Sequence, residues 1–397
     1  MTVIEDSTGI DVAEIDFGFD DLVDLPALVA RMRATEPASW VRFIGEPTLH
    51  LNTYELVNAG FRDESSIPGH IYYLETQKPI MGPTVQSLHG DGHRVARSLQ
   101  APFFRQRLMP DYVAPVFAPV ANELIDQFVE RGEADLMSEF TKHYPMRVIM
   151  KVLDLDPSGD VDWARLAWDM IQGAYDPELA VRAIAEFDHH VVPLLEERRR
   201  RPGSDLISAL IGSEVDGERM DEADVLSFVR LMFPAGTDTT YLGMGNVLLA
   251  LLTHPDAMAQ TLANPVAEAR WAIEEALRWQ PSVAHLPRRT SEAVEWRGLS
   301  IPARTPVLLS VMGANRDPAV FADPDRFDLG RRPTSTMTFG LAAHHCLGIH
   351  FARAEMDVAL RTVLERLPNL RLREDRPQPV VHGALLRGPE ELRVTFG

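Results

Sequence analysis

Apolar positions along this chain recur mainly at helical intervals. The clearest series is Leu347, Phe351, Met356, Leu360, Val363, Leu364 and Leu367, which predicts a helix over 347–367. Residues 112–132, 135–152, 160–174 and 177–200 also read as helices, with Pro177 near the start of the last and Pro202-Gly203 past its end. A long helix over 221–253 has Asp221 and Asp224 at its start and Pro255 as its stop. Asn264-Pro265 opens a further helix that closes before Pro281, and 21–36 forms a short one. Strands are fewer. Segments 40–43 and 48–51 flank Gly45-Glu46-Pro47, 294–296 and 299–301 flank Arg297-Gly298, and 305–311 is a single strand. Segments 370–373 and 392–396 make a small terminal sheet around a loop with Ala384, Leu385 and Leu386. Residues 65–90 read as loop, yet carry Ile71, Tyr72, Tyr73, Leu74, Ile80 and Met81. That composition suits a lid or pocket and equally a loop packed on itself.

Composition narrows the class. Hydrophobic residues make up 45% of the 397, enough for a large core, and the formal net charge of −19 argues against a nucleic-acid partner. Lysine occurs only at Lys78, Lys142 and Lys151, so arginine carries nearly all positive charge. One cysteine excludes an intrachain disulfide and suits a reducing compartment. No apolar run approaches a membrane span, and Glu5, Asp6, Asp11, Glu14 and Asp16 give the N-terminus the wrong charge for a targeting peptide. The expectation is a cytoplasmic protein without a membrane segment.

The single cysteine lies in Thr338-Phe339-Gly340-Leu341-Ala342-Ala343-His344-His345-Cys346-Leu347-Gly348, at the start of the 347–367 helix. A helix N-terminus favours an anion and so a thiolate. Taken alone, Cys346 fits a small buried apolar residue as well. A zinc site with His350 lacks a second ligand pair to complete it. In full, the run resembles the haem-binding loop of the cytochrome P-450 (haem-thiolate monooxygenase) family, F-G-x-G-x-[HR]-x-C-x-G. Phe339, Gly340, His344, Cys346 and Gly348 match it, and Ala342 replaces its second glycine. Alanine resists positive φ, which puts the backbone geometry there in question.

Further segments resemble the family in the same order. His93 and Arg97, four apart in Asp91-Gly92-His93-Arg94-Val95-Ala96-Arg97, match its H-x-x-x-R, whose side chains bind haem propionates. Ala235-Gly236-Thr237-Asp238-Thr239-Thr240, following Pro234 inside the 221–253 helix, puts poor helix formers mid-helix, and locally broken rules tend to mark function. It matches the family's oxygen groove, and the resemblance makes Asp238 and Thr239 the acid–alcohol pair that relays protons. Glu275 and Arg278 match E-x-x-R, with Arg326 of Pro324-Asp325-Arg326-Phe327 as third member, and Arg288 matches a propionate-binding arginine.

The resemblance implies the cytochrome P-450 fold, mainly α with small β-sheets, in one domain over 1–397. It implies haem b (iron protoporphyrin IX), ligated by Cys346, with His93, Arg97, Ala235, Gly236, Arg288, Phe339, His344 and Gly348 in its binding site. Thiolate ligation promotes O–O cleavage. The implied activity is oxidation, chiefly hydroxylation, of a mainly apolar small molecule with dioxygen and two electrons. Only 51 residues follow Cys346, so the electrons are expected from a separate ferredoxin and its reductase, docked on arginines such as Arg94, Arg105, Arg107, Arg331, Arg332 and Arg353. A peroxide-driven haem enzyme, a haem-based sensor and a haem-free binding module stay open. Substrate contacts are expected from 67–83, from the residues about one and two turns before Ala235, from 283–286 and from 384–386, with His285, Tyr72 and Tyr73 as the polar ones.

Overall fold

The computed structural model describes residues 11–156 and 160–397. Glu5 and Asp6 of the acidic N-terminus lie outside the described residues. The chain divides into two compact units, one of residues 11–72, 242–346 and 370–394, the other of 73–156, 160–241, 347–369 and 395–397.

The first unit is built on a four-stranded sheet in the order Ala38–Phe43, Glu46–Leu51, Pro306–Ser310, His285–Arg289. The first two strands form an antiparallel hairpin that pairs Phe43 with Glu46. Pro306–Ser310 runs parallel to Glu46–Leu51 and antiparallel to His285–Arg289, aligning Leu308 with both His50 and Pro287. One face buries Leu49, Leu51, Val307 and Leu309 against Val57, Phe61 and Met337. Val57 and Phe61 come from helix Tyr54–Arg62, capped by the Thr53 hydroxyl accepting from the Leu56 amide at 3.3 Å. Helices Pro255–Ala263 and Pro265–Trp279 follow, each with proline at its first turn. Within the same sheet His50 and His285 are fully buried, their rings 4.8 Å apart. Asn52 Oδ1 lies 2.5 Å from His50 Nδ1, and Ser310 Oγ 3.2 Å from His285 Nε2. Burial lowers His50 to about 4 despite the Asn52 contact and holds His285 well below the histidine range, so both rings are neutral.

The second unit is helical. Its longest elements are Pro177–Arg200, capped by Asp176 on the Leu179 amide, and the part of Glu222–Thr253 up to Tyr241. Asp221 accepts from the Asp224 amide at 2.8 Å, the cap expected for that helix. Around them lie Gly90–Gln100, Ala118–Ile125, Tyr144–Leu153, Trp163–Met170 and Ile349–Arg366. Aromatic rings fill the core: Phe351 meets Phe104, Tyr112 and Phe117, and Phe233 meets Trp163 and Phe187. The predicted 112–132 and 135–152 helices are shorter than expected, each entered by a wide turn, Val113–Phe117 and Met137–Thr141. Region 65–90 also departs from expectation, winding into Ile71–Thr76 and Lys78–Met81. Among the described residues no helix is long and apolar enough to cross a membrane.

Candidate functional site

The cysteine loop begins on a buried ionic network. Glu275 and Arg278, three apart on helix Pro265–Trp279, have no exposed surface and pair through Nε at 2.7 Å and Nη2 at 2.9 Å. The remaining Arg278 donors collect the carbonyls of Asn315, Pro324 and Arg326 at 2.8–3.1 Å. Asn315 passes this order on: its Oδ1 accepts from the Met337 amide at 2.7 Å and its Nδ2 donates to the Thr338 hydroxyl at 3.0 Å. Arg326 therefore contributes its backbone carbonyl, and its side chain is exposed. The side chain expected from Arg326 comes instead from Arg331, whose Nε lies 3.1 Å from Glu275 Oε1. Arg331 is accordingly tied into the network rather than offered on the surface.

From Thr338 the loop turns back so that the Cys346 amide donates to the Phe339 carbonyl at 2.8 Å. Gly340 takes φ +66° and Ala342 φ +60°, both left-handed. The loop thus keeps a glycine-type turn at Ala342 and carries the strain of an alanine there, roughly 1–2 kcal/mol. Cys346, half-buried and in no disulfide, ends the loop, and Gly348 caps helix Ile349–Arg366.

In the same unit Arg288 leaves strand His285–Arg289 almost fully buried. It donates to the Ile67 carbonyl at 2.8 Å and to Glu64 Oε1 at 3.0 Å. Glu64 Oε2 accepts from the Gly69 amide at 3.0 Å and lies 3.6 Å from His344 Nε2. Burial raises the Glu64 pKa, but His344, Arg288 and the Gly69 amide outweigh it and bring it to about 2. Arg288 and His344, 56 positions apart in sequence, are thus brought together by a carboxylate that pattern reading did not single out. Its one sequence signal is the turn-forming run Asp63-Glu64-Ser65-Ser66.

In the second unit Pro234 lies inside an unbroken helix Glu222–Thr253. The Thr237 hydroxyl donates to the Phe233 carbonyl at 3.0 Å and the Thr239 hydroxyl to the Ala235 carbonyl at 2.9 Å. The flanking residues Leu231 to Pro234 are buried, whereas Ala235 is exposed and Gly236 and Thr239 are half-buried, a narrow uncovered stripe on a core helix. Asp238, one residue and about 100° away, points elsewhere. Only 4% exposed, it lines a 200 Å³ cavity with Lys142, Met146, Arg165, Trp168 and Tyr241. Its Oδ2 has no hydrogen-bond partner, and burial pushes its pKa to about 8 against the opposing Lys142 charge. Asp238 and Thr239 are therefore neighbours in the chain without being bonded to each other. His93 and Arg97 share one side of helix Gly90–Gln100, His93 buried and Arg97 half-buried.

Residues 176–264 and 268–396 match the family model described as Cytochrome P-450. The chain is 33% identical over 396 residues to mycinamicin IV hydroxylase/epoxidase of Micromonospora griseorubida, covering 96% of this chain and 98% of that protein. The chain belongs to the cytochrome P-450 family. It is also 37% identical over 266 residues to cytochrome P-450 133B1 of Xylella fastidiosa, a match spanning 65% of this chain and 66% of the relative, just under two thirds of it. The solved structure of cytochrome P-450 CYP109Q5 from Chondromyces apiculatus superimposes with a TM-score of 0.87 at 29% identity, over 97% of this chain and 98% of that one.

Family membership implies a haem-thiolate cofactor, and the residues present fit one. Cys346 offers a sulfur ligand outside any disulfide and a methyl group built on Gly348 would meet nothing within 4 Å; the stripe at Ala235, in the second unit, separately presents small side chains beside a hydroxyl. Among the expected substrate contacts, His285 is excluded: it is fully buried, with Nδ1 2.9 Å from the Ala384 carbonyl. Segments 283–286 and 384–386 do lie side by side, through the Ala284 amide on the Leu385 carbonyl at 2.8 Å.

Proposed function

We propose that this cytochrome P-450 is a monooxygenase that hydroxylates, or otherwise oxidises, a mainly apolar small organic molecule. The observation that carries this reading is a buried carboxyl with an unbonded oxygen at Asp238, one residue before the Thr239 hydroxyl that lies on the uncovered stripe of helix Glu222–Thr253. A peroxide-driven enzyme or a sensor has no need of that pair. The relative named a mycinamicin IV hydroxylase/epoxidase supports the oxidation class.

In this reading Cys346 ligates haem b, and His93, Arg97, Arg288 and His344 offset its carboxylates, with Ala235, Gly236, Phe339 and Gly348 against the ring. When bound, the haem supplies the activation of dioxygen. Asp238 holds a proton at Oδ2 in its cavity and releases it toward Thr239, whose hydroxyl accepts one hydrogen bond while giving another. Because the two side chains are not bonded, a carboxyl rotation or a water carries the proton between them. One cofactor drawing on residues 93 to 348 makes 1–397 a single catalytic domain. Electrons come from a separate ferredoxin and its reductase, with exposed Arg94, Arg105 and Arg107 supplying local positive charge on an acidic chain. The single cysteine supports a cytoplasmic location.

The test is the carbon monoxide difference spectrum of the reduced protein, followed by NADH-driven oxidation with a ferredoxin pair. The wild type should give the thiolate signature and Cys346→Ser should lose it. A serine variant with an unchanged spectrum would remove Cys346 from the iron.

A further inference from the structure

A guanidinium as buried as Arg288 needs a counter-charge whether or not a cofactor is bound, since an unpaired buried cation is strongly destabilising. Glu64 supplies it, and the surroundings are built to hold it there. Asp63 fixes the turn by accepting from the amide of Ser66 at 2.9 Å and from Trp296 Nε1 at 3.0 Å. A methyl group on Gly69 would lie 2.6 Å from His344 and 3.2 Å from Arg288, so the loop packs directly against both side chains. The Glu64 side chain itself is 34% exposed and keeps a route to water that Arg288, at 4%, lacks.

We propose that Glu64 is a built-in competitor for the haem carboxylate at Arg288 and His344: it holds the two side chains together before the cofactor loads and swings to solvent when a propionate arrives. This rests on the reading that Arg288 and His344 receive a propionate. Two carboxylates cannot share the clamp without loss. Nη1 of Arg288 is already divided between Glu64 and the Ile67 carbonyl, Nη2 faces the Phe61 carbonyl at 3.4 Å, and the Nε2 of His344 that faces Glu64 donates to one acceptor at a time. A second anion beside one fixed cation also repels the first. Glu64 therefore favours the haem-free fold and opposes the haem-loaded one.

The full-length protein decides this by haem transfer to excess apomyoglobin, followed at the Soret band, with thermal unfolding of the haem-free chain alongside. Glu64→Gln should lose haem roughly three- to tenfold more slowly than wild type, tenfold being about 1.4 kcal/mol. Its haem-free form should melt at lower temperature, because Arg288 has lost its counter-charge. Glu64→Asp, which keeps the charge but shortens its reach, should fall between the two and serves if the glutamine variant does not fold. Arg288→Gln should lose haem faster. Should Arg288→Gln lose haem faster while Glu64→Gln matches or exceeds the wild-type rate, Glu64 supports the clamp and the competition is refuted. An unchanged rate in Arg288→Gln overturns the propionate reading, and the competition with it.

Discussion

Removing the Glu275 carboxylate should strip a fully buried arginine of its counter-charge and destabilise the chain severely. Glu275→Ala deletes the acceptor of two Arg278 bonds at 2.7 and 2.9 Å, of Arg331 at 3.1 Å and of the Asp328 amide at 2.9 Å. Arg278 has no exposed surface, so its charge is left buried and unpaired, a loss of about 3–5 kcal/mol. A typical domain holds about 5–15 kcal/mol in total, so the variant sits near the limit of folding. The damage should reach the cofactor too, because Arg278 holds the Asn315 carbonyl and Asn315 holds Met337 and Thr338, where the cysteine loop starts. Glu275→Gln keeps an acceptor and should fall between. The assay is urea unfolding of the purified haem-loaded proteins with haem content measured on the same samples, and both should drop together. A stability loss below about 1 kcal/mol, the size of an exposed ion pair, would refute the reasoning.

Three other outcomes follow from single positions. Ala342→Gly should stabilise the protein by about 0.5–1 kcal/mol, relief of the left-handed alanine less the added freedom of the unfolded chain; a lower urea midpoint would contradict it. His50 falls from 6.5 to about 4 on folding, so the unfolded chain binds more protons between those values. Its stabilising contribution is complete above pH 6.5 and is lost as pH falls toward 4, roughly 3 kcal/mol over the window. His50→Gln should flatten the urea midpoint between pH 7 and 5, and an unaltered slope would place the acid sensitivity elsewhere. Asp238→Asn removes the transferable proton and should cut product formed per NADH at least about tenfold, the excess appearing as peroxide. In the wild type product formation should fall above pH 8, and Lys142→Met, by removing the charge that lowers Asp238, should move that limb to higher pH.

Where chemistry follows sequence spacing, the residues could be read directly. The Glu275–Arg278 pair and the Pro234–Thr240 stretch each lie within about two helical turns, so their placement on one helix follows from local rules. What escaped depended on tertiary reach. Glu64 meets Arg288 across 224 positions, and nothing in the Asp63–Ser66 turn names that partner. Arg331 displaced Arg326 because only the folded backbone decides which arginine turns inward. His285 looked available beside apolar neighbours, but strand pairing with Ser310 directs it into the core. Helix Tyr54–Arg62 is signalled in the sequence only by its Thr53 cap, set between a hairpin and a loop.

A carboxyl that is still protonated at neutral pH changes where a turnover has to wait. If Asp238 is the proton donor proposed above, it begins each cycle already carrying its proton, so the first delivery draws on a reservoir inside the protein and only refilling depends on the outside. In the proposed reading that refilling takes place through the cavity lined by Lys142 and Trp168. Proton supply on that reading depends on the burial of one carboxyl rather than on the identity of the molecule oxidised.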